Sequence, residues 1–189
     1  MTNTESGNAT RVKIPQDIID QIAKEFLTDK IGHGYLEHYA KHLPESIGTL
    51  LEIGCERGAS LRMWKFLYPE AKITSLDLFV EFPVPDIKGV EFICGNQLDF
   101  EILYNIRNNR AFDIIIDDGS HNSRDQLVTF YSLVGTSPLY VVEDLHCCND
   151  EPYRQGLPFE KTMLGQMLAG TFPFRYYLYD NKIAFIYAS

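Results

Sequence analysis

Short apolar runs alternate with amphipathic stretches along most of the chain. Runs of this length and composition are typical of buried β-strands, and five of them are predicted to be strands: Thr49–Ile53, Lys72–Asp77, Val90–Cys94, Phe112–Asp117 and Leu139–Val142. Helical periodicity covers most of the remaining chain, in stretches at about Pro15 to Leu27, Tyr35 to Leu43, a helix ending near Leu67, Phe100 to Asn109, Ser123 to Val134 and Glu160 to Leu168. This alternation predicts a mostly parallel sheet with helices on both faces.

The last two apolar runs lie much closer together than the others. They cover Phe174–Tyr179 and Lys182–Tyr187. Asp180 and Asn181 between them suit a tight hairpin turn, because both residue types tolerate positive φ. The predicted fold class is therefore α/β: a doubly wound, mostly parallel, seven-stranded Rossmann-like sheet with a C-terminal antiparallel hairpin.

Length and composition narrow the class of protein. The 189 residues suit one domain, and we expect a disordered tail over 1–13 followed by a single domain over 14–189. No apolar segment is long enough for a membrane span, and the polar N-terminus does not resemble a secretory signal, so we expect a cytoplasmic protein without a membrane partner. The net charge of −9, with scattered Lys and Arg, argues against a nucleic-acid partner. The four cysteines are expected to be free thiols.

The first strand runs into a glycine turn with the sequence LLEIGCERGAS. Gly54 and Gly58 would give a turn without Cβ atoms, at which a ligand can approach the backbone, and the next helix would begin near Ser60. The GxGxxG pattern of dinucleotide-binding proteins is absent. Glu52 and Glu56 make the loop acidic, which disfavours a pyrophosphate and favours a cationic sulfonium carrying an α-amino group.

The next two strands also end in polar residues. Asp77 follows the second strand and is placed to accept hydrogen bonds from two ribose hydroxyls. Asn96 and Gln97 follow the third strand, where their amides could bond to an adenine edge. Polar groups in this order at successive strand ends predict an adenosine-type ligand.

The fourth and fifth strands each end in two acids, in IIIDDGSH and VVEDLH. If these acids converge on one cleft, their mutual repulsion needs compensation, and a divalent cation such as Mg²⁺ is the simplest one. His121 could take a proton from a hydroxyl held there, with His146 as a second candidate base. The acids expected in the cleft are Asp117, Asp118, Glu143 and Asp144.

Each of these features also has a plainer interpretation. In that interpretation the glycine loop is only a tight turn, the acids cap helices, and the histidines bond to nearby backbone. The choice among these interpretations stays open at the level of residues alone.

Four segments together resemble the metal-dependent sugar O-methyltransferases of antibiotic biosynthesis: TDKIGHGYLEHYAKHL, LLEIGCERGASLRMW, FDIIIDDGSH and YVVEDLH. The resemblance runs from about Thr28 to Leu145. It implies a class I methyltransferase sheet that binds S-adenosylmethionine and Mg²⁺, with a sugar or glycan as acceptor. Asn96, where that family commonly has an acid, and the loop residues Cys55-Glu56-Arg57 depart from its pattern.

The resemblance also implies roles for single residues. His121 would be the general base, with Asp118 serving both the metal and catalysis. The implied magnesium ligands are Asp118, Glu143 and Asp144. The implied cofactor contacts are Thr28, Lys30, Tyr35, Glu52, Gly54, Gly58, Ser60, Asp77, Asn96, Gln97 and Asp117.

Sugar O-methylation is the favoured function, and three alternatives stay open. The first is the same chemistry on a catechol or another vicinal diol. The second is a non-catalytic module that binds S-adenosylmethionine, and the third is a nicotinamide oxidoreductase, which the missing GxGxxG turn disfavours. A homo-oligomer also remains open, because the resemblance does not decide the assembly.

Overall fold

The computed structural model describes residues 14–78 and 87–188. The expected tail over 1–13 and the segment 79–86 lie outside the described residues. The chain divides into two compact units, Met1–Ser46 and Ile47–Ser189.

The described part of the first unit, residues 14–46, contains three helices: α1 Gln16–Glu25, α2 Asp29–Gly32 and α3 Tyr35–His42. Pro15 precedes α1, and its carbonyl accepts hydrogen bonds from the N–H groups of Ile18 and Ile19. The two longer helices were predicted from their periodicity. The pattern did not indicate α2, because a helix of four residues is too short to show a period.

The seven strands found among the described residues all lie in the second unit. They are β1 Thr49–Ile53, β2 Lys72–Asp77, β3 Val90–Cys94, β4 Ile114–Asp117, β5 Leu139–Val142, β6 Arg175–Tyr179 and β7 Ile183–Tyr187. Its helices are α4 Ala59–Leu67, α5 Phe100–Asn109, α6 Ser123–Leu133, α7 Glu151–Arg154 and α8 Met163–Leu168. Short 3₁₀ turns cover Val134–Thr136, Leu145–Asn149 and Phe159–Lys161.

The strands form one sheet in the order β3-β2-β1-β4-β5-β7-β6. The first five strands pair in parallel, and β7 is antiparallel to both β5 and β6. This arrangement confirms the predicted fold class. The direction of winding reverses between β1 and β4, and ligands in such sheets bind outside the carboxyl ends of the strands at that point.

Helices cover both faces of the sheet. Leu51 and Ile53 of β1 belong to an apolar cluster that includes buried side chains of α5, α6 and α8. Glu52 between them points to the opposite face, because successive side chains in a strand alternate, and there it bonds to Ser60 and Trp64 of α4. The sheet is therefore a central layer with α4 on one side and α5, α6 and α8 on the other.

Local hydrogen bonds shift the predicted start of two elements. Strand β4 begins at Ile114 rather than Phe112, because the side chain of Asp113 accepts hydrogen bonds from the N–H groups of Gly48 and Thr49. Helix α8 begins at Met163 rather than near Glu160, because a 3₁₀ turn comes first and Thr162 caps the helix. Local side-chain bonds of this kind compete with the regular structure that periodicity predicts.

The hairpin turn forms as the sequence predicts. Asp180 and Asn181 have φ values of 51° and 57°. Both are in the left-handed region that a tight turn between twisted strands requires.

Two smaller expectations concern membranes and thiols. Within the described ranges, no helix combines the length and the apolar character that crossing a membrane would need. All four cysteines are free thiols, as expected.

Candidate active site

The glycine turn after β1 packs directly against the loop after β4. Gly54 has a φ of 81°, and a Cβ built on it would lie 2.1 Å from the carbonyl oxygen of Asp118. Gly58, at φ 72°, precedes the first turn of α4. We expected a glycine at position 54 so that a ligand could come close to the backbone. In the structure, the backbone of the Asp118 loop also lies in the space that a Cβ would fill.

Asp77, at the end of β2, holds the same turn in place. Its Oδ2 accepts hydrogen bonds from the backbone N–H groups of Cys55 at 2.7 Å and Glu56 at 3.0 Å. Burial raises the pKa of the Cys55 thiol to about 12. These two hydrogen bonds show that Asp77, which we expected to bind a ribose, already fixes the loop beside it. Its contact with a ribose stays a prediction.

Glu52 and Ser60 lie beneath the turn. Glu52 is fully buried, and its two carboxylate oxygens accept hydrogen bonds from Ser60 Oγ at 2.9 Å and Trp64 Nε1 at 3.0 Å. Since buried carboxylates need partners, these bonds tie β1 to α4. The expected contacts of Glu52 and Ser60 with a cofactor stay predictions.

The loop after β3 also bonds to the protein itself. Asn96 Oδ1 accepts a hydrogen bond from Leu98 N–H, and Asp99 caps α5 by accepting from the N–H groups of Glu101 and Ile102. Gln97 is buried and bonds to Ser120 and Thr129. The adenine contacts predicted for Asn96 and Gln97 remain predictions, while the structure gives both amides a partner in the protein.

Asp117 is directed into the protein interior. Tyr140 donates a hydrogen bond from its hydroxyl to Asp117 Oδ2 at 3.1 Å, and burial raises the pKa of Asp117 to about 7. Glu143 is also almost completely buried. Its backbone N–H donates to the carbonyl of Asp117, and its carbonyl accepts from Gln126 Nε2.

Asp118, His121 and Asp144 form the acidic cluster of the site. One ligand atom from each of the three lies within 4.8 Å of the other two. His121 Nδ1 is 3.8 Å from Asp144 Oδ2, and His146 Nδ1 is 3.8 Å from Asp144 Oδ1. Two imidazoles thus lie on either side of the Asp144 carboxylate.

The facing nitrogens of these imidazoles lack hydrogen bonds. Nδ1 of His121 and Nδ1 of His146 are both buried and have no hydrogen-bond partner within the described part of the chain. A distance of 3.8 Å is too long for a hydrogen bond. Because buried polar atoms are nearly always bonded in native proteins, these atoms fit a site that is completed by a ligand.

Of the four acids expected to converge, the structure places Asp118 and Asp144 in this cluster. Glu143 is not one of the three grouped residues, so its assignment as a magnesium ligand stays a prediction. The expected contact of Asp117 with the cofactor likewise stays a prediction.

Three residues other than glycine at this edge of the sheet have a left-handed backbone conformation. Glu56, His121 and Asp144 follow β1, β4 and β5, and their φ values are 45°, 58° and 53°. Residues other than glycine seldom adopt such angles, and strain of this kind is often found at functional sites.

A layer of supporting residues was not predicted from the sequence. Ser120 Oγ donates to Asp125 Oδ2 at 2.7 Å, and Thr129 Oγ1 donates to the carbonyl of Asp125. These residues support the turn that carries His121. The sequence pattern gives Asp125 and Thr129 no role, because a polar residue in a helix carries no local sign of the bond it makes.

Three predicted cofactor contacts lie in the first unit. Thr28 immediately precedes α2, Lys30 lies within it, and Tyr35 begins α3. Their roles stay predictions.

No protein-family model matches the chain. A curated relative, mycinamicin VI 2''-O-methyltransferase of Micromonospora griseorubida, is 34% identical over 143 residues, which are 67% of this chain and 36% of the relative. Demethylmacrocin O-methyltransferase of Streptomyces fradiae is 32% identical over 143 residues, with the same coverage of both chains. The matched part therefore spans about a third of the length of these relatives.

Among solved structures, the methyltransferase MycE from the mycinamycin biosynthetic pathway, in complex with Mg and SAH, superimposes with a TM-score of 0.77. It is 27% identical, and the match covers 90% of this chain and 54% of MycE. The order of strands and the residues at their ends, together with this likeness, define a class I S-adenosylmethionine-dependent methyltransferase fold. Within that class, the sequence is similar to O-methyltransferases such as the two curated relatives above and one from Streptomyces olivaceus that is named for a rhamnosyl tetracenomycin, 31% identical over 67% of this chain and 36% of the relative.

Proposed function

We propose that this chain transfers a methyl group from S-adenosylmethionine to a sugar hydroxyl, with Mg²⁺ at the acidic cluster. The observation that carries the proposal is the grouping of Asp118, His121 and Asp144 at the ends of β4 and β5. This cluster adjoins the glycine turn of a methyltransferase fold through the contact between Gly54 and Asp118. The relative named for a rhamnosyl tetracenomycin supports the choice of a sugar as acceptor class.

The cofactor would bind at the turn after β1. Asp77 holds that turn through two backbone N–H groups. The acidic character of the turn suits a sulfonium and an α-amino group, both of which are positively charged. The presence of SAH in the MycE structure supports the same assignment.

The donor groups of the cluster fit a hard divalent cation. Mg²⁺ prefers oxygen ligands and usually keeps some of its coordination positions for water or substrate. Asp118 and Asp144 would hold it, with Glu143 as the third ligand that the sequence predicts. Bound there, Mg²⁺ would act as a Lewis acid that lowers the pKa of an acceptor hydroxyl.

His121 is the proposed general base. Its Nδ1 faces Asp144 Oδ2 at 3.8 Å, so we assign proton acceptance to the other ring nitrogen, Nε2. The left-handed backbone of His121 keeps the ring at this end of the sheet.

Calorimetric titration with S-adenosylhomocysteine, in Mg²⁺ and again in EDTA, is the first test. We expect binding in both conditions, because the cofactor contacts and the metal contacts involve different residues. A methyl-transfer assay would follow, with deoxysugar glycosides compared against a catechol in the presence of Mg²⁺. Absence of binding in both titrations would refute the proposal, and transfer to the catechol alone would refute the sugar acceptor.

A further inference from the structure

We infer that Gln97 is a positioning residue, which sets the turn that carries His121. The inference rests on the proposed function, because it concerns how the general base is held. Gln97 follows β3, where the sequence suggested a contact with adenine. Its contacts in the structure lead instead to the loop after β4.

Both ends of the Gln97 amide bond to the protein. The side chain is only 8% exposed. Its Oε1 accepts a hydrogen bond from the backbone N–H of Ser120 at 2.8 Å, and its Nε2 donates to Thr129 Oγ1 at 3.1 Å. Thr129 is fully buried in α6, so the amide links the turn to the helix that follows it.

The backbone of the turn lies directly against this amide. A Cβ built on Gly119 would lie 2.3 Å from Gln97 Oε1, so the close fit depends on the glycine. On the other side of the turn, Asp125 Oδ2 accepts hydrogen bonds from Ser120 Oγ at 2.7 Å and Asn122 Nδ2 at 3.3 Å. The residues on both sides of His121 are thereby fixed.

This support explains how His121 keeps an unfavourable backbone conformation. Its φ of 58° is strained for a residue with a Cβ, and such strain persists only where the surroundings fix it. Loss of the Gln97 amide would free Ser120 N–H and let the turn relax. The imidazole would then move relative to Asp144, while the turn after β1 would keep its own hydrogen bonds.

The positioning role and the adenine role predict different results for the same variants. In Gln97→Met the side chain keeps its length but cannot form either hydrogen bond. Gln97→Glu keeps an oxygen that can accept from Ser120 N–H. Thr129→Val removes the second partner, and since Thr129 is fully buried, it can affect the site only through its neighbours.

Two further variants serve as controls. Thr129→Ser keeps the hydroxyl and should behave like the parent. Thr136 Oγ1 donates to the carbonyl of Leu133 at 2.8 Å, a bond of the same kind as that of Thr129 to Asp125. Thr136→Val therefore removes a comparable hydroxyl elsewhere.

The test combines three measurements on the full chain. Calorimetry gives the Kd for S-adenosylhomocysteine. NMR gives the imidazole signal of His121, one of five histidines, at a pH about two units above the ordinary imidazole pKa. Steady-state assays at saturating S-adenosylmethionine and Mg²⁺ separate kcat from KM.

We expect Gln97→Met to move the His121 signal and lower kcat by about tenfold to a hundredfold, the scale of a small misplacement of a catalytic group. The Kd for S-adenosylhomocysteine should stay near that of the parent. Thr129→Val should move the same signal in the same direction, and Gln97→Glu should recover part of the loss.

Two results would overturn the inference. One is a weaker affinity for S-adenosylhomocysteine in Gln97→Met with the His121 signal unchanged, which would place Gln97 in the adenine site. The other is a Thr129→Val variant that behaves like Thr136→Val. If the parent protein binds no S-adenosylhomocysteine, the proposed function fails, and the His121 signals alone decide whether Gln97 sets the turn.

Discussion

The two halves of the carboxyl edge of the sheet satisfy their polar groups differently. In the loops after β1 and β2, carboxylates bond to nearby donors of the protein, as Asp77 does with the N–H groups of Cys55 and Glu56. In the loops after β4 and β5, the Nδ1 atoms of His121 and His146 face Asp144 from 3.8 Å without a hydrogen bond. The first half is fixed by hydrogen bonds within the protein. The second half has two buried imidazole nitrogens whose missing hydrogen bonds a ligand could supply.

This difference shows how the carboxyl edge of one sheet can bind two ligands at separate places. A turn that is already fixed loses little conformational entropy when a cofactor binds, and such preorganisation favours affinity. Carboxylates that lie close together repel one another until a cation binds. A substitution in one half should therefore weaken the binding of one ligand and leave the binding of the other nearly unchanged.

The largest effect should come from the acidic half. We expect Asp118→Ala to abolish methyl transfer, because the variant lacks one carboxylate of the cluster. Affinity for S-adenosylhomocysteine should be close to that of the parent in calorimetry, whereas Mg²⁺-dependent turnover should be absent. Asp150→Ala removes an exposed acid outside the cluster and serves as the control. An equal loss of cofactor affinity and turnover in Asp118→Ala would contradict the separation of the two halves.

Loss of the proposed base should have the next largest effect. We expect His121→Ala to lower kcat by about a hundredfold or more, the usual scale for removal of a general base. The measurement is kcat at saturating S-adenosylmethionine and Mg²⁺, with His146→Ala as the matched variant, because both rings face the same carboxylate. A rate near that of the parent in His121→Ala, together with a loss in His146→Ala, would move the role to His146.

The sequence predicted the strands and the groups at their ends better than it predicted the contacts of those groups. Four strands have the predicted bounds, because apolar runs between turn residues are a local signal. The inward direction of Asp117 and the bonds of Gln97 could not be predicted in this way. They depend on Tyr140 and Thr129, which lie 23 and 32 residues further along the chain.

The same limit applies to the acidic pairs. By residue type alone the two acids of a pair look alike, and only the resemblance gave Asp117 and Asp118 different roles. Neighbouring side chains at a strand end point to opposite sides. Asp118 belongs to the cluster, while Asp117 bonds to Tyr140 in the interior. Which member of a pair is exposed depends on the layers packed against the sheet.

A substitution where the two halves touch should affect both of them. A Cβ at Gly54 would overlap the carbonyl of Asp118, at a φ of 81°. We expect Gly54→Ala to lower the free energy of unfolding by about 2 kcal/mol, a typical cost of forcing an extra methyl group into a packed interior. This change lowers the ratio of folded to unfolded protein by about thirtyfold.

Urea unfolding followed by circular dichroism would measure this change. Gly135→Ala is the control, because no atom lies within 4 Å of a Cβ at that position. Equal stability of the two variants would show that Gly54 and the Asp118 loop are not in firm contact.

The smallest effect should come from the cofactor half. Asp77→Ala removes the acceptor for the N–H groups of Cys55 and Glu56. Hydrogen bonds to a charged group contribute about 1.5–3 kcal/mol each, but water can replace part of that contribution in an open loop. We therefore expect the Kd for S-adenosylhomocysteine to rise by about tenfold.

Asp77→Asn sharpens this test, since it keeps one acceptor oxygen but removes the charge. It should weaken binding less than Asp77→Ala if the carboxylate mainly holds the turn, and equally if the charge itself contacts the ligand. In both variants the Mg²⁺ concentration that gives half-maximal turnover should match that of the parent, because the cluster at Asp118 and Asp144 is intact. A shift of that concentration in Asp77→Ala would mean that the two halves of the edge are coupled beyond the contact at Gly54.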